Sequence, residues 1–277
     1  MTIKTLLASA VAGAALFASP SAAQVSGDWT GFYVGGQVGY GWATGGGNET
    51  TVFDTNLDGT FGDTVRTGAG ADAFSPGFCS GAARGPTPAD GCRGDRDGVE
   101  YGAHVGYDFQ TGDNFVIGVV GDWNRSRVRD SVSSFSTTPA FYTMTQRLRD
   151  VFTLRARAGV ASGDTLFYGT GGVARGNVRN SFTTSNAANS FTGNGNDKAW
   201  GYTVGGGIEH RISEGFSVGA NYLYRSLKAD DYVVRAGPGT APATNPFLLV
   251  NAAGTDFARS GTKFNSHAVS LTGSFRF

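Results

Sequence analysis

The strongest constraint in this sequence is a period-two alternation of apolar and polar residues, clearest between Gly98 and Phe109. Six apolar side chains occupy every second position there, and glycine, histidine and acidic residues lie between them. Successive side chains of a β-strand point to opposite faces, so the segment predicts a strand with one apolar face and one small or charged face. Seven further segments repeat the pattern: 30–42, 115–125, 148–160, 165–176, 199–211, 216–226 and 263–277.

The connections between these eight segments alternate in length. Three are tight turns rich in Gly, Asp and Ser, and four are long: 43–96, 126–147, 177–197 and 227–262. An even number of strands joined alternately by short and long connections is typical of outer-membrane barrels. We therefore predict an all-β fold, an eight-stranded antiparallel transmembrane up-and-down β-barrel with long extracellular loops. The alternative is a soluble β-sandwich or lipocalin-like barrel, but Gly-rich and Ser-rich polar faces suit a narrow lumen better than a solvated surface.

The N-terminus has the three parts of a secretory signal peptide. Lys4 precedes an apolar stretch over 6–18, and small residues follow up to Ala23. We predict cleavage after Ala23, export, and a barrel domain over 24–277 whose first extracellular loop is 43–96. The longest later apolar run, 115–121, is far shorter than the roughly 20 residues of a spanning helix, so a membrane protein of this sequence must be a barrel.

Charge and cysteine content narrow the partners and the compartment. The sequence holds 22 basic and 22 acidic residues, which argues against a nucleic-acid partner because such proteins need a basic face. Cys79 and Cys92 lie in one loop-like segment, and in an exported protein such a pair predicts a disulfide. A metal pair is the weaker alternative because no histidine lies nearby.

Aromatic residues concentrate at the strand ends, where amphipathic rings anchor a barrel at the membrane interfaces. The predicted girdle includes Trp29, Tyr40, Trp42, Tyr101, Trp123, Trp200, Tyr222 and Phe275.

Three motifs carry a family resemblance: Trp29-Thr-Gly-Phe-Tyr-Val-Gly-Gly36, Leu166-Phe-Tyr-Gly-Thr-Gly-Gly-Val-Ala174 and the terminal Ser274-Phe-Arg-Phe277. With them the chain resembles the small OmpA-like, porin-family surface proteins of alphaproteobacteria. The resemblance implies an abundant eight-stranded surface protein, and some such relatives are described as adhesins, immune antigens or hemin binders. Phe277 is similar to the terminal signal that the barrel assembly machinery recognises. Because the sequence ends at this strand, we expect no peptidoglycan-binding domain.

The polar faces of the predicted strands carry charges that would point into the lumen. They are Glu100, Asp108, Asp122, Arg149, Arg155, Arg157, Arg175, Glu209, Arg211, Arg225 and Arg276. An eight-stranded barrel is only wide enough for side chains to fill, and buried charges are costly unless they pair. The set predicts a salt-bridged plug, or alternatively a narrow pore whose arginine excess favours anions.

One loop segment resembles half of a calcium site. Asp54, Asn56 and Asp58 precede a glycine in the D-x-N-x-D-G pattern, but the twelfth position is Val65 instead of glutamate. The alternative is a turn organised by its own side chains.

Catalysis and cofactor binding find little support. The three histidines, His104, His210 and His267, have no serine at the same-face spacing of two, although pairing across strands could still build a site. The G-x-G-x-x-A match at 169–174 lies within a strand with no helix after it, so we expect no nucleotide and no other cofactor.

We therefore expect an outer-membrane protein with a structural or surface-interaction role through four mobile loops. The expected partners are outer-membrane lipid, the barrel assembly machinery and an extracellular ligand or host surface bound by the loops. A small diffusion channel is the alternative function, and an outer-membrane lipid-modifying enzyme is a remote one.

Overall fold

A computed structural model describes residues 28–44, 49–112, 114–195, 197–229 and 231–277. The predicted signal peptide, 1–23, lies outside them and stays a prediction. The strands are β1 (Gly31–Ala43), β2 (Thr51–Asp54), β3 (Gly77–Ser80), β4 (Ala82–Ala83), β5 (Cys92–Arg93), β6 (Gly98–Thr111), β7 (Phe115–Arg125), β8 (Arg129–Ser136), β9 (Ala140–Ser162), β10 (Thr165–Thr184), β11 (Ser190–Gly193), β12 (Asp197–Ser213), β13 (Phe216–Lys228), β14 (Val234–Gly237), β15 (Thr255–Arg259) and β16 (Lys263–Arg276). Two short 3-10 turns lie at Pro88–Asp90 and Pro246–Leu248.

Eight of these strands close into a ring. The hydrogen-bonded order is β10-β12-β13-β16-β1-β6-β7-β9, and β9 pairs with β10 to complete the circle. Every neighbouring pair is antiparallel. The predicted eight-stranded antiparallel barrel is therefore confirmed. We call the end with the three tight turns the lower end and the opposite end the upper end.

The barrel wall is apolar outside and small or charged inside. On β9 the outward Leu154 is 58% exposed, whereas the next residue, Arg155, is 4% exposed. A continuous exposed apolar face of this kind marks a surface that another apolar phase covers. In the described residues no helix is long and apolar enough to cross a bilayer.

Glycines inside the wall make room for large lumen side chains. A Cβ built on Gly106 of β6 would overlap the ring of Tyr33, and one on Gly207 of β12 would crowd the ring of Tyr168. Both rings project into the lumen and flank the guanidinium of Arg157 at 4.9 and 4.8 Å. The Gly-rich inner faces therefore reflect a filled lumen and not a wide one.

Two strands rise well above the rest of the barrel. Compared with the predicted segments 148–160 and 165–176, β9 begins eight residues earlier and β10 ends eight residues later. The other six strands begin and end within two residues of prediction. The extensions join the long connections in a second body, the cap, which we define as the described residues of 44–97, 126–148, 177–196 and 229–262.

The cap is built by all four long connections together. Three of them contribute to a four-stranded sheet in the order β11-β14-β15-β2, and the second connection supplies β8, which pairs with β9 and with β3. The disulfide between Cys79 and Cys92 forms as predicted and joins β3 to β5.

An aromatic cluster forms the core of the cap. Phe257 of β15 is fully buried. Its ring centroid lies 5.0 Å from that of Phe53, 5.5 Å from that of Tyr142 and 5.3 Å from that of Phe247. The loops, expected from the sequence to be mobile, bury their aromatic residues against one another, and the alternation pattern did not predict this shared core.

Phe257→Ala tests whether the cap is a cooperative unit. Removing this buried ring should destabilise the cap by about 3–5 kcal/mol, the usual cost of a large-to-small core change. Hydrogen exchange should show lost protection in the cap, with the barrel strands unchanged.

The matched control is Phe78→Ala, which removes a partly exposed cap phenylalanine. It should leave exchange in the cap near wild type. Equal protection in wild type and Phe257→Ala would contradict a shared cap core.

Candidate functional site

Four charged side chains from four strands form one network in the lower half of the lumen. Nη2 of Arg276 donates to Oδ2 of Asp108 at 2.7 Å and to Oε1 of Glu209 at 3.0 Å. Arg157 donates through Nε to Oδ1 of Asp108 at 2.7 Å and through Nη1 to Oε2 of Glu209 at 2.9 Å. All four are buried, so each carboxylate is held by two guanidinium groups in a dry environment.

Two further pairs lie higher in the lumen. Arg155 meets Asp122 at 2.7 Å, and Arg225 meets Glu100 at 2.7 Å. The four predicted lumen carboxylates are thus all placed in the lumen, each with an arginine partner.

Trp29 differs from the prediction that placed it in the membrane girdle. It precedes β1, is fully buried, and closes the lower end of the lumen. The guanidinium groups of Arg211 and Arg276 lie 4.3 and 4.6 Å from its ring centroid. Periodicity could not reveal this position because the residue lies outside the strand, where the chain folds back under the barrel.

Arg175 and Arg149 also differ from the predicted lumen set. Arg175 is paired with Trp200 across β10 and β12, and its guanidinium lies 5.4 Å from that outward ring. Glycines interrupt the alternation of this strand, and the structure turns Leu166 and Ala174 inward instead. Arg149 lies where the register of β9 shifts, and it is only partly buried near other arginines outside the lumen network.

The corrected lumen set has five arginines against four carboxylates, instead of the seven predicted. One of the five, Arg211, is already engaged by the ring of Trp29 and by the carbonyl oxygen of Asp28. The excess of lumen arginines over lumen carboxylates, which suggested a path for anions, is therefore small.

An apolar layer lies across the upper mouth of the lumen, above the ion pairs. It contains Val128, Leu148, Val151, Ala174, Val178, Ala199, Leu227, Ala229 and Phe264. Gly176 of β10 packs against the side chains of Leu148 and Leu227, although β10 and β13 are not neighbouring strands. Side chains from β9, β10, β12, β13 and β16 therefore pack together at the mouth.

A histidine and a serine meet across strands between these layers. Nε2 of His104 and Oγ of Ser274 are 2.8 Å apart, a contact between β6 and β16 that same-strand spacing could not reveal. The adjoining cavity is about 20 Å³, which is room for about one water molecule. His210 and His267 hydrogen-bond elsewhere, to Thr165 and Tyr222.

The half calcium motif forms a turn held by its own amides. Asp54 is buried, and its carboxylate accepts N–H groups from Leu57 at 2.7 Å and Gly59 at 2.8 Å. Asn56 donates to Asp58 at 2.9 Å. Within the described residues no group of three or more His, Cys, Asp or Glu side chains could hold a metal ion. The geometry favours the turn over the calcium hypothesis.

The other predicted girdle aromatics lie on the outer wall. Exposed or partly exposed rings are those of Tyr40, Trp42, Tyr101, Trp123, Trp200, Tyr222 and Phe275. Phe277 is half exposed, and its N–H donates to the carbonyl oxygen of Phe32 at 2.9 Å. Its predicted role in assembly stays a prediction.

A charged cluster inside the cap follows no pattern in the sequence. Arg259 donates to Asp130 at 2.6 Å and also contacts Glu49, while Asp95 accepts the N–H of Ser131 at 2.8 Å. Burial, and next the negative charge of Asp130, raise the pKa of Asp95 to about 6. Burial also raises the pKa of Glu49.

Asp108→Ala tests the lumen network. It removes the shared partner of Arg157 and Arg276, and leaving buried guanidinium groups unpaired should lower the free energy of unfolding by about 3–5 kcal/mol. Urea unfolding of the refolded protein in detergent micelles measures the change.

The control for this variant is Asp256→Ala, which breaks the ion pair with the exposed Arg235. Its cost should stay below about 1 kcal/mol because solvent screens that pair. Equal costs for the two variants would contradict a dry network.

The cap should be more stable in mild acid. A carboxyl whose folded pKa of about 6 exceeds its unfolded value of about 4 binds more protons when folded. Stability should therefore fall as pH rises from about 4 to about 6, by about 1 kcal/mol after allowance for solvent screening. Glu49 shifts in the same direction, and the cationic Arg259 opposes both.

Hydrogen exchange of the cap at pH 4.5 and 7 measures this dependence. Asp95→Asn should reduce the difference, whereas Asp97→Asn, a change at an exposed position nearby, should preserve it. After correction for intrinsic exchange, greater protection of the cap at pH 7 than at pH 4.5 would contradict this prediction.

Part of the chain is similar to two curated outer-membrane proteins. Over 128 residues the chain is 32% identical to the 31 kDa outer-membrane immunogenic proteins of Brucella melitensis biotype 1 and Brucella suis biovar 1. The match covers 46% of this chain and 52% of each relative, so the chain spans about half the length of the curated relatives it matches.

Solved barrels are similar at low identity. The outer membrane protein OprG from Pseudomonas aeruginosa has a TM-score of 0.45 at 11% identity, covering 92% of this chain and 99% of that one. The outer membrane protease OmpT from Escherichia coli has a TM-score of 0.41 at 9% identity, covering 93% and 100%.

The family model of the outer membrane protein beta-barrel domain matches residues 9–277, nearly the whole chain. Its match agrees with the closed ring and the apolar outer wall, and it confirms the predicted location. The chain belongs to the outer membrane protein beta-barrel domain family and is an outer-membrane barrel.

Proposed function

We propose that this barrel serves as a closed scaffold that displays its cap as a rigid surface for interaction outside the cell. The observation that carries the proposal is the double closure of the lumen, by the ion-pair network and by the apolar layer above it. A filled barrel has no continuous path through its lumen, so we assign the function of the protein to its exposed surfaces.

The cap has the properties of an interaction platform. Its strands share an aromatic core and a disulfide, which hold the surface in one shape before any partner arrives. Partly exposed apolar side chains remain on it at Phe78, Leu249 and Val250. Preorganised surfaces bind more tightly because less conformational entropy is lost on association. The name of the Brucella relatives, immunogenic proteins, also supports a displayed surface.

The interior is unsuited to catalysis. His104 and Ser274 form the best nucleophile and base pair in the described lumen, but the cavity beside them has room for only about one water molecule. This geometry supports a protein without enzymatic activity inside the barrel.

Display and closure are tested together on one protein. A short epitope inserted after Gly239, in the cap, should bind antibody on intact cells. The same epitope inserted at Gly163, in a lower turn, should bind only after the outer membrane is permeabilised. Refolded wild-type protein in a planar bilayer should give no discrete conductance steps, because the apolar layer excludes hydrated ions.

Heat-modifiable mobility on a gel serves as the control that the protein in the bilayer is folded. Antibody access to the lower turn of intact cells would overturn the display proposal. Discrete conductance steps from the wild-type protein would overturn the closed scaffold in favour of the diffusion channel. A weaker anion preference in Arg155→Ala would then show that the ions pass through the lumen beside this arginine.

A further inference from the structure

Four arginines lie directly opposite one another across neighbouring strands at the base of the cap. Arg96 and Arg129 exchange backbone hydrogen bonds at 3.2 and 2.9 Å. Arg129 is in register with Arg147 of β9, and Arg147 is in register with Arg179 of β10. We call Arg96, Arg129, Arg147 and Arg179 the arginine ladder.

The ladder faces away from the interior. The next residue along each of three strands is buried: Asp130 after Arg129, Gln146 before Arg147, and Asn180 after Arg179. Alternate residues of a strand point to opposite faces, so the arginines point outward. Arg96 and Arg179 are exposed, and the middle two are partly exposed.

No member of the ladder forms an ion pair in the part of the chain that the structure describes. Asp150, three residues from Arg147 on β9, is engaged by Arg125 at 2.7 Å. Like charges directly opposite on paired strands are destabilising. Burial, and next the neighbouring arginines, lower the pKa of Arg147. An unbalanced row of this kind is stabilised by a bound polyanion.

The height of the ladder on the barrel wall indicates which layer of the bilayer would hold the bound anion. Trp123 and Arg175 both pair with Phe152, and Trp123 is an outward tryptophan of the kind that lies at a membrane interface. Arg179 is four residues further along β10, about 13 Å along the strand and about 10 Å higher for a strand tilted by about 40°. This places the ladder just above the outer edge of the polar layer of the bilayer, which is on the order of 5–8 Å thick on each side.

An apolar wall lies below the ladder, beyond a polar row that includes Arg125, Asp150 and Arg175. Trp123, Phe152 and Val173 are exposed on β7, β9 and β10. The surface therefore has a cationic row above and an apolar face below, and β9 and β10 carry both. A soluble polyanion would use only the row, whereas a lipid with an anionic head would use both.

We propose that the arginine ladder is a binding site for a phosphate-bearing lipid of the outer leaflet, whose acyl chains lie against the apolar wall below it. The guanidinium group matches phosphate oxygens with two parallel hydrogen bonds, which makes arginine the better side chain for such a row. Neighbouring strands are about 4.8 Å apart, so the four side chains span about 14 Å and can engage more than one phosphate.

The test uses the full refolded protein in neutral detergent micelles, titrated with bisphosphorylated lipid A and followed by native mass spectrometry. The triple variant R129Q/R147Q/R179Q should bind this lipid at least about tenfold more weakly than wild type, because several charge-assisted hydrogen bonds are lost. Dephosphorylated lipid A should bind wild type as weakly as the phosphorylated lipid binds the triple variant.

The matched control, R66Q/R84Q/R235Q, removes the same charge from exposed cap arginines away from the ladder. It should bind like wild type. Equal binding by wild type and the triple variant would overturn the proposal. Binding of a soluble sulfated polysaccharide to wild type at the affinity of lipid A would also overturn it, because the apolar wall would then contribute nothing.

A second measurement separates binding from misfolding. Without lipid, the triple variant should melt at or above the temperature of wild type, since repulsion along the ladder is relieved. Lipid A should raise the melting temperature of wild type and the control, and leave that of the triple variant unchanged. A triple variant that does not fold, judged by heat-modifiable mobility, is replaced by Arg147→Gln, for which weaker lipid binding is again required.

Discussion

The hydrogen-bonded ring of the barrel is the constraint on which the rest of this structure depends. Within a membrane no water satisfies free N–H and C=O groups, so the sheet must close, and the pairing of β9 with β10 completes that closure. Closure at eight strands fixes a narrow interior. The inner faces then need glycine and serine opposite the large side chains that fill it.

The narrow interior explains why its charges pair so completely. Asp108 and Glu209 each contact Arg157 and Arg276, which come from different strands and meet only because the wall is curved. The cation–π contacts of Trp29 close the same network from below. The paired charges in the lumen therefore stabilise the barrel from within.

The two extended strands connect the barrel to its outer functions. By rising above the wall, β9 and β10 carry Tyr142 and Phe182 into the aromatic core of the cap and hold Arg147 and Arg179 in register on the outside. One pair of strands thus supports both the proposed interaction surface and the proposed lipid site. A stable cap and a firmly seated lipid should consequently reinforce each other.

The sequence by itself determined the fold class, the eight strands, the disulfide and most lumen charges, because period-two alternation records directly which face each side chain takes. Where glycines interrupt that alternation, as around Arg175, or where the chain leaves a strand, as at Trp29, the face was decided only by tertiary contacts. The cap core, the His104–Ser274 contact and the arginine ladder join residues far apart in sequence. Only the register between strands places them together, and register depends on closure of the whole ring and not on any local pattern.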